Sequence, residues 1–405
     1  MPGMLDQREA FVLRAAELLH AYGTPAPRSE GMLRQLMTRL GVEGDVSVTP
    51  TALMFTLGDG GSCHSMLRRV EPGEVDLGRL VIIGEILRAL ESGDIDLGTA
   101  AHRLEELHRA PPRSPRWAVV LGFGAVSASA TIGFGGGLLE TAVATAIGLL
   151  TGLLSILLVP RPRLAPVFEP MAAFVASACS YILSRTVAPH ADDVVTLASL
   201  IVLVPGLSFT VGMVELASRH WSSGTARLAG AAVTFLTLAF GVALGRVAAV
   251  GILGGGEAPA AISVAPPTWA VPVALVLGSI GFAILFQARA RELAVILGAG
   301  AVAMLGAKIG VSMLGPELGG FVGALAVGLF ANAYSNLAHR PSLVASMPGI
   351  LLLVPGSIGY RALGLFVAHD VTGGLETAFA TVLVAIALVG GLLVANAILP
   401  PRTSL

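Results

Sequence analysis

The chain has 405 residues, 54% of them hydrophobic and only 13% charged, with a mean hydropathy of +0.81. That much apolar surface excludes a water-soluble globular protein of this length and points to a polytopic membrane protein. A net charge of −1 with no basic tract argues against nucleic acid as a partner, and two widely separated cysteines, Cys63 and Cys179, argue against a disulfide framework or a thiolate metal site.

Charge is unevenly spread. Residues 1–116 hold 16 of the 26 acidic residues and 13 of the 25 lysines and arginines. This predicts a soluble domain over 1–110, a Pro-rich hinge over 111–116 ending at Arg116, and a membrane domain beyond it. The start, Met1 to Leu19, carries Asp6, Arg8, Glu9, Arg14 and Glu17 and has no apolar core of signal-peptide type. The first domain is therefore expected to stay in the cytoplasm.

Within that domain, Gln7 to Tyr22 reads as an amphipathic helix, with Phe11, Leu18 and Leu19 on one face and Arg8, Arg14 and Glu17 on the other. Ser29 is expected to cap a second helix running to Leu40. Val46–Val48, Leu53–Leu57 and Cys63–Val70 read as short strands divided by Thr49-Pro50 and a glycine-rich turn at 58–61. Two closing helices start with the same cap, Asp76-Leu77-Gly78 and Asp96-Leu97-Gly98. The whole predicts a small cytosolic α/β domain. His102 and Glu106 share a helix face, but a metal needs at least three converging ligands, so a solvated charged helix is the better reading. No catalytic set and no cofactor-binding motif stand out, which predicts that the chain is not an enzyme.

A spanning helix needs about 20 apolar residues. Ten segments qualify: 117–134, 138–159, 167–188, 194–218, 226–250, 268–287, 292–313, 318–338, 343–367 and 374–399. Arg113, Arg116, Arg161, Arg163, Arg219, Arg289, Arg291, Arg340 and Arg402 then all fall on one side, while Asp192, Asp193, Glu257, Glu317 and Asp370 fall on the other. That is the positive-inside pattern with both termini cytoplasmic.

The phrase Ile201-Val202-Leu203-Val204-Pro205-Gly206 returns as Leu351-Leu352-Leu353-Val354-Pro355-Gly356, an offset of 150 residues. Each Pro-Gly pair sits mid-way along an apolar segment, where proline removes a backbone donor and glycine lets the chain unwind. The repeat unit is five helices, an odd number, so the second copy must enter the membrane inverted. The expected architecture is two inverted five-helix repeats, 117–251 and 268–399, joined by an external loop over 252–267 and followed by a cytoplasmic tail over 400–405. Broken helices at matching places point to a transporter's binding site. Half-helices restarting after each break offer free amides to a carboxylate, and the released carbonyls can accept from an ammonium or a cation. The candidate substrate-binding residues are Val204, Pro205, Gly206, Ser208 and Thr210 at the first break, and Val354, Pro355, Gly356, Ser357 and Tyr360 at the second. Glu140, Glu215, Lys308 and Arg361 are the intramembrane charges singled out for coupling, weighed against the alternative that they snorkel to an interface. Asn332, Asn336 and Asn396 are expected to bridge helices, and Gly241, Gly245, Gly306, Gly310, Gly319 and Gly323 to mark close helix contacts.

With Leu18-Leu19-His20-Ala21-Tyr22-Gly23, the paired Asp-Leu helix starts, Pro111-Pro112, Leu203-Val204-Pro205-Gly206, Ser223-Gly224-Thr225-Ala226-Arg227, and His339-Arg340-Pro341 leading to Leu353-Val354-Pro355-Gly356, the chain resembles the threonine/serine exporter family over nearly its whole length. The resemblance implies a soluble domain ahead of ten helices, and fusion of two halves that some members keep as separate subunits. It implies export of threonine and serine across the cytoplasmic membrane, driven by the proton motive force. Split members add dicarboxylates such as succinate as a second substrate class. A membrane-tethered sensor or enzyme using the N-terminal domain is the reading from another class. The implied partners are a small amino acid, protons and the lipid bilayer; a homo-oligomer is left open.

Overall fold

A computed structural model describes residues 6–59, 62–71, 73–254, 265–353, 356–367 and 370–401. Most of the expected external loop, the glycine pair at 60–61 and Arg402 lie outside the described residues.

The N-terminal elements form as their caps and periodicity dictate. Helix α1 (Gln7–Ala21) opens on a reciprocal cap: Asp6 accepts from the Gln7 amide, and Glu9 accepts from the Asp6 amide at 2.9 Å. Helix α2 (Ala26–Leu40) starts earlier than expected. Pro25 and Pro27 preset its first turn, where no amide is needed, and Ser29 lies inside the helix with its hydroxyl directed at the Thr24 carbonyl. Strands β1 (Gly44–Thr49), β2 (Ala52–Asp59) and β3 (Ser62–Arg69) form an antiparallel meander in that order, with Val46 opposite Phe55 and Met54 opposite Leu67. Alternation along β1 and β2 turns Val46, Val48, Leu53, Phe55 and Leu57 inward. Helices α3 (Leu77–Glu91) and α4 (Leu97–Arg109) are capped by Asp76 and Asp96, which accept from the Arg79 and Thr99 amides. His102 and Glu106 are an exposed pair on α4.

The buried cluster built by these elements does not end with them. It includes Leu343 and Met347, and Leu207 and Phe286 pack against it, all four from the apolar part of the chain. The hinge is also engaged, since the Ser114 hydroxyl donates to the Ile284 carbonyl at 3.0 Å.

The apolar region folds into α5 (Arg116–Gly133), α6 (Leu138–Leu158), α7 (Phe168–Thr186), α8 (Asp192–Leu200), α9 (Gly206–Ala217), α10 (Trp221–Leu253), α11 (Ala270–Leu285), α12 (Leu293–Leu314), α13 (Gly319–Ala338), α14 (Leu343–Leu351), α15 (Gly356–Val367) and α16 (Val371–Ile398). Among the described residues, eight stretches are long and apolar enough to cross a bilayer, counting α14 with the start of α15 as one; α9 and α11 are apolar but shorter. The chain is a mainly helical polytopic membrane protein. Phe240 and Val247 on α10, and Phe379 and Ile386 on α16, stay exposed, as lipid-facing side chains must.

Packing recurs between the two halves. Helix α7 lies on α10 as α13 lies on α16, α9 on α10 as α15 on α16, and α8 against α6 and α7 as α14 against α12 and α13. The close approach behind the first pair depends on glycine in both copies. A Cβ at Gly241 would fall 2.3 Å from the Pro170 carbonyl oxygen, and one at Gly391 would fall 2.4 Å from that of Phe321. The halves interlock through α10 with α15 and α9 with α16. Asn332 donates to Asn396 at 2.8 Å across α13 and α16, a bridge of the kind anticipated.

Candidate functional site: two helix breaks in contact

Both expected breaks are present. At the first, α8 ends at Leu200, whose carbonyl accepts from Leu203 at 2.8 Å and Val204 at 3.2 Å. Pro205 has no amide to continue the ladder. The Gly206 amide turns back onto the Val204 carbonyl at 2.7 Å, and the helix restarts with Phe209 donating to Pro205 at 2.9 Å. At the second, Leu353 donates to Ile350 at 2.8 Å after α14 ends, and α15 begins at Gly356. Val354 and Pro355 lie outside the described residues.

The two breaks, 150 residues apart in sequence, touch. A Cβ placed on Gly356 would lie 2.8 Å from Val204 Cγ1 and 3.2 Å from Gly206 Cα. A side chain here would force the Val204 methyl aside and press on the Gly206 backbone, so the approach is closest with glycine. Gly206 is the first residue of α9 and Gly356 the first of α15. Two helix N-termini therefore converge on one point, and each brings amides with no partner inside its helix.

The surrounding side chains differ in burial. Val204 and Gly206 are buried, and Tyr360 packs into the cluster formed by Val204, Leu200 and Phe235. Thr210, one turn beyond Gly206 on the same helix face, is buried, and its hydroxyl has no hydrogen-bond partner among the described residues. A buried polar atom of this kind normally has one. Ser357 is half-buried beside Gly356, whereas Ser208 is exposed.

None of the four charges singled out from the sequence lies in the break itself. Glu140 is buried at the start of α6, where it accepts from the Gly137 amide at 3.1 Å and from the Ala191 amide at 3.4 Å, tying the start of α6 to that of α8. Lys308 is exposed on α12. Arg361 is exposed on α15, its guanidinium 5.8 Å from the centre of the Phe134 ring. Glu215 is fully buried near the end of α9 and has the richest set of partners: Arg227 Nε at 3.0 Å to each oxygen, the Ser223 hydroxyl at 2.7 Å and the Ala26 amide at 3.1 Å. The Ala26 amide belongs to the first turn of α2, so a carboxylate of the membrane region caps a helix of the N-terminal region.

Sequence reasoning missed those partners. The run Ser223-Gly224-Thr225-Ala226-Arg227 was visible as a motif, and its eight- and twelve-residue spacing from Glu215 fits a return across a helix hairpin. Nothing in the sequence announced the Ala26 amide. Also missed were the neighbouring contacts that draw the N-terminal region onto the bundle: Arg28 donating to the Ser342 hydroxyl at 2.7 Å, His220 with Glu30 at 3.2 Å, and Arg289 with Glu85 at 2.9 Å. Burial brings the Arg28 guanidinium down to about 10, which leaves it charged at neutral pH. Glu292, buried at the start of α12, accepts from Tyr334 at 2.6 Å and pairs with Arg340.

Two family models match the chain. A family model described as "Putative threonine/serine exporter" matches residues 10–247, and one described as "Threonine/Serine exporter, ThrE" matches residues 272–398. The first covers α1 through most of α10 and the second covers α11 to α16. Curated relatives include proteins named "Pheromone-regulated membrane protein 10". The one from Yarrowia lipolytica is 27% identical over 87% of this chain and 30% of its own length. That from Candida albicans is 26% identical over 92% and 34%, and that from Eremothecium gossypii 24% identical over 88% and 49%. The chain thus spans between about a third and a half of the length of these relatives. No solved structure matches it.

Proposed function

The chain belongs to the threonine/serine exporter family, and from that premise we propose that it is a secondary active transporter that exports small hydroxy amino acids, threonine and serine, across the cytoplasmic membrane in exchange for protons. The observation that carries this reading is the contact of Gly206 with Gly356, which brings two broken helices to one point. The amides at the starts of α9 and α15 receive the substrate carboxylate, the carbonyls at the ends of α8 and α14 accept from its ammonium group, and the unpartnered Thr210 hydroxyl meets the substrate hydroxyl. The chain carries no catalytic step in this reading. The convergence of two positive helix ends also favours a second anionic group, so succinate is the second substrate to test.

Ten spans, with both termini cytoplasmic and the two five-helix units inverted, supply the framework. The recurrent packing of the two halves supports it, as does the placement of every arginine-bearing loop on one side. A cysteine replacing Ala260 in a background lacking Cys63 and Cys179 should react with an impermeant thiol reagent added to intact cells. Labelling that requires lysis would rule out ten spans.

Counterflow of labelled threonine, serine and succinate into proteoliposomes tests the transport reading. Threonine and serine should accumulate, and a pH gradient of the correct sign should raise the rate severalfold. Failure of all three to accumulate would remove the assignment, while succinate alone would transfer it to the dicarboxylate class.

A further inference from the structure

The end of α9 and the start of α14 are both covered. The N-terminal elements sit on both. On α9, Glu215 accepts from the Ala26 amide at 3.1 Å. At the start of α14, Arg28 donates to Ser342 at 2.7 Å. Between these two anchors, which lie two residues apart on α2, the apolar cluster of the N-terminal elements takes in Leu343 and Met347 of α14, and Leu207 of α9 packs against it. Leu207 directly follows Gly206, so the seal extends to the break. Further contacts fasten the rest of the surface: Leu77 donates its amide to the Phe286 carbonyl at 2.9 Å, and Glu85 pairs with Arg289 and Arg291.

We infer that the N-terminal elements are the cytoplasmic gate of this transporter, shown closed across the approach between α9 and α14 to the twin break. The inference rests on the transport reading above. An exported substrate enters from the cytoplasm, and the face it must cross is held shut by a small apolar seal ringed by charge pairs. An interface so rich in charged contacts has the character of one that separates and re-forms, not of a permanent core. The hinge at 111–116 attaches the gate to α5 and to the end of α11, while the anchors on α2 hold it to α9 and to the start of α14. Glu215 and Ser342 are positioning residues in this scheme: they hold the gate and do not touch substrate.

Two measurements test it, both in full-length protein lacking Cys63 and Cys179. In the first, Thr210→Cys is exposed to an impermeant thiol reagent in inside-out vesicles. The modification should be slow with the gate intact and at least tenfold faster when Arg28→Ala is added. An unchanged rate overturns the gate, and because no substrate is involved, this result stands whether or not the transport reading survives. In the second, Arg28→Cys and Ser342→Cys are joined with a short bifunctional thiol reagent. Cross-linked protein should lose counterflow and regain it when the link is reduced, and transport that continues through the cross-link overturns the proposal. If the protein moves no substrate before cross-linking, the transport reading fails by itself and the labelling rate decides the gate alone.

Discussion

Gly356→Val is expected to lower the initial rate of counterflow at least tenfold while the protein still inserts and purifies as a single species. The new side chain would begin 2.8 Å from Val204 Cγ1 and 3.2 Å from Gly206 Cα, so the Val204 side chain must shift and the valine methyls beyond the new Cβ push the two half-helices apart. The contact joins two segments that are each already packed on their own half, α9 on α10 and α15 on α16. Separating them disturbs the substrate site more than the fold. Pro205→Ala combined with Gly206→Ala approaches the same site from the backbone. It restores an amide and favours continuous helix by up to about 4 kcal/mol in intrinsic propensity, roughly 3 from proline and 1 from glycine. Membrane surroundings reduce that figure, because neighbouring helices already compensate a break. The pair Pro355→Ala with Gly356→Ala should behave alike. Wild-type rates and affinities in all three variants would show that the breaks serve packing only.

Glu215→Leu should have the largest effect on stability. Removing the fully buried carboxylate leaves the Arg227 guanidinium, the Ser223 hydroxyl and the Ala26 amide without their shared acceptor. Breaking a buried pair from one side typically costs about 3–5 kcal/mol. Arg227 keeps about a fifth of its exposure, so solvent offsets part of the loss and the lower end of that range applies. The expected readout is a clear fall in the apparent Tm of the detergent-solubilised protein. Glu215→Leu with Arg227→Leu should recover much of it, since an apolar pair of similar volume replaces the charges. A single variant with unchanged Tm would mean that the cluster contributes nothing to folding.

Much of this architecture is legible in the sequence because membrane and turn chemistry act locally. Apolar length marked every helix of the bundle, since no backbone polar group can be left unpaired in lipid. Asp76 and Asp96 were readable as caps because a carboxylate accepts from amides only two or three residues away. Pro205 and Gly206 marked a break by removing a donor and a side chain, and the offset of 150 residues marked its twin. Ser29 misled, because a proline-led first turn serves as well as a side-chain cap and moved the start of α2 forward. The charged candidates were legible in part. Glu140 and Glu215 are acids in apolar surroundings, which the sequence shows, and Ser223 and Arg227 stand in a visible motif, but the amides of Gly137, Ala191 and Ala26 that also donate to these carboxylates have no residue-specific signature.

Composition and periodicity by themselves determined the membrane class, the small sheet and the presence of two matched breaks. These follow from hydrogen bonding and hydrophobicity within some twenty residues of chain. Only the tertiary structure decided that the breaks meet at Gly206 and Gly356, that the buried Thr210 hydroxyl has no partner among the described residues, and that the N-terminal elements pack on α9 and α14. The first and last of these depend on surfaces brought together from segments 150 or more residues apart, where the deciding quantity is shape and the available backbone donors, and neither is written in residue type.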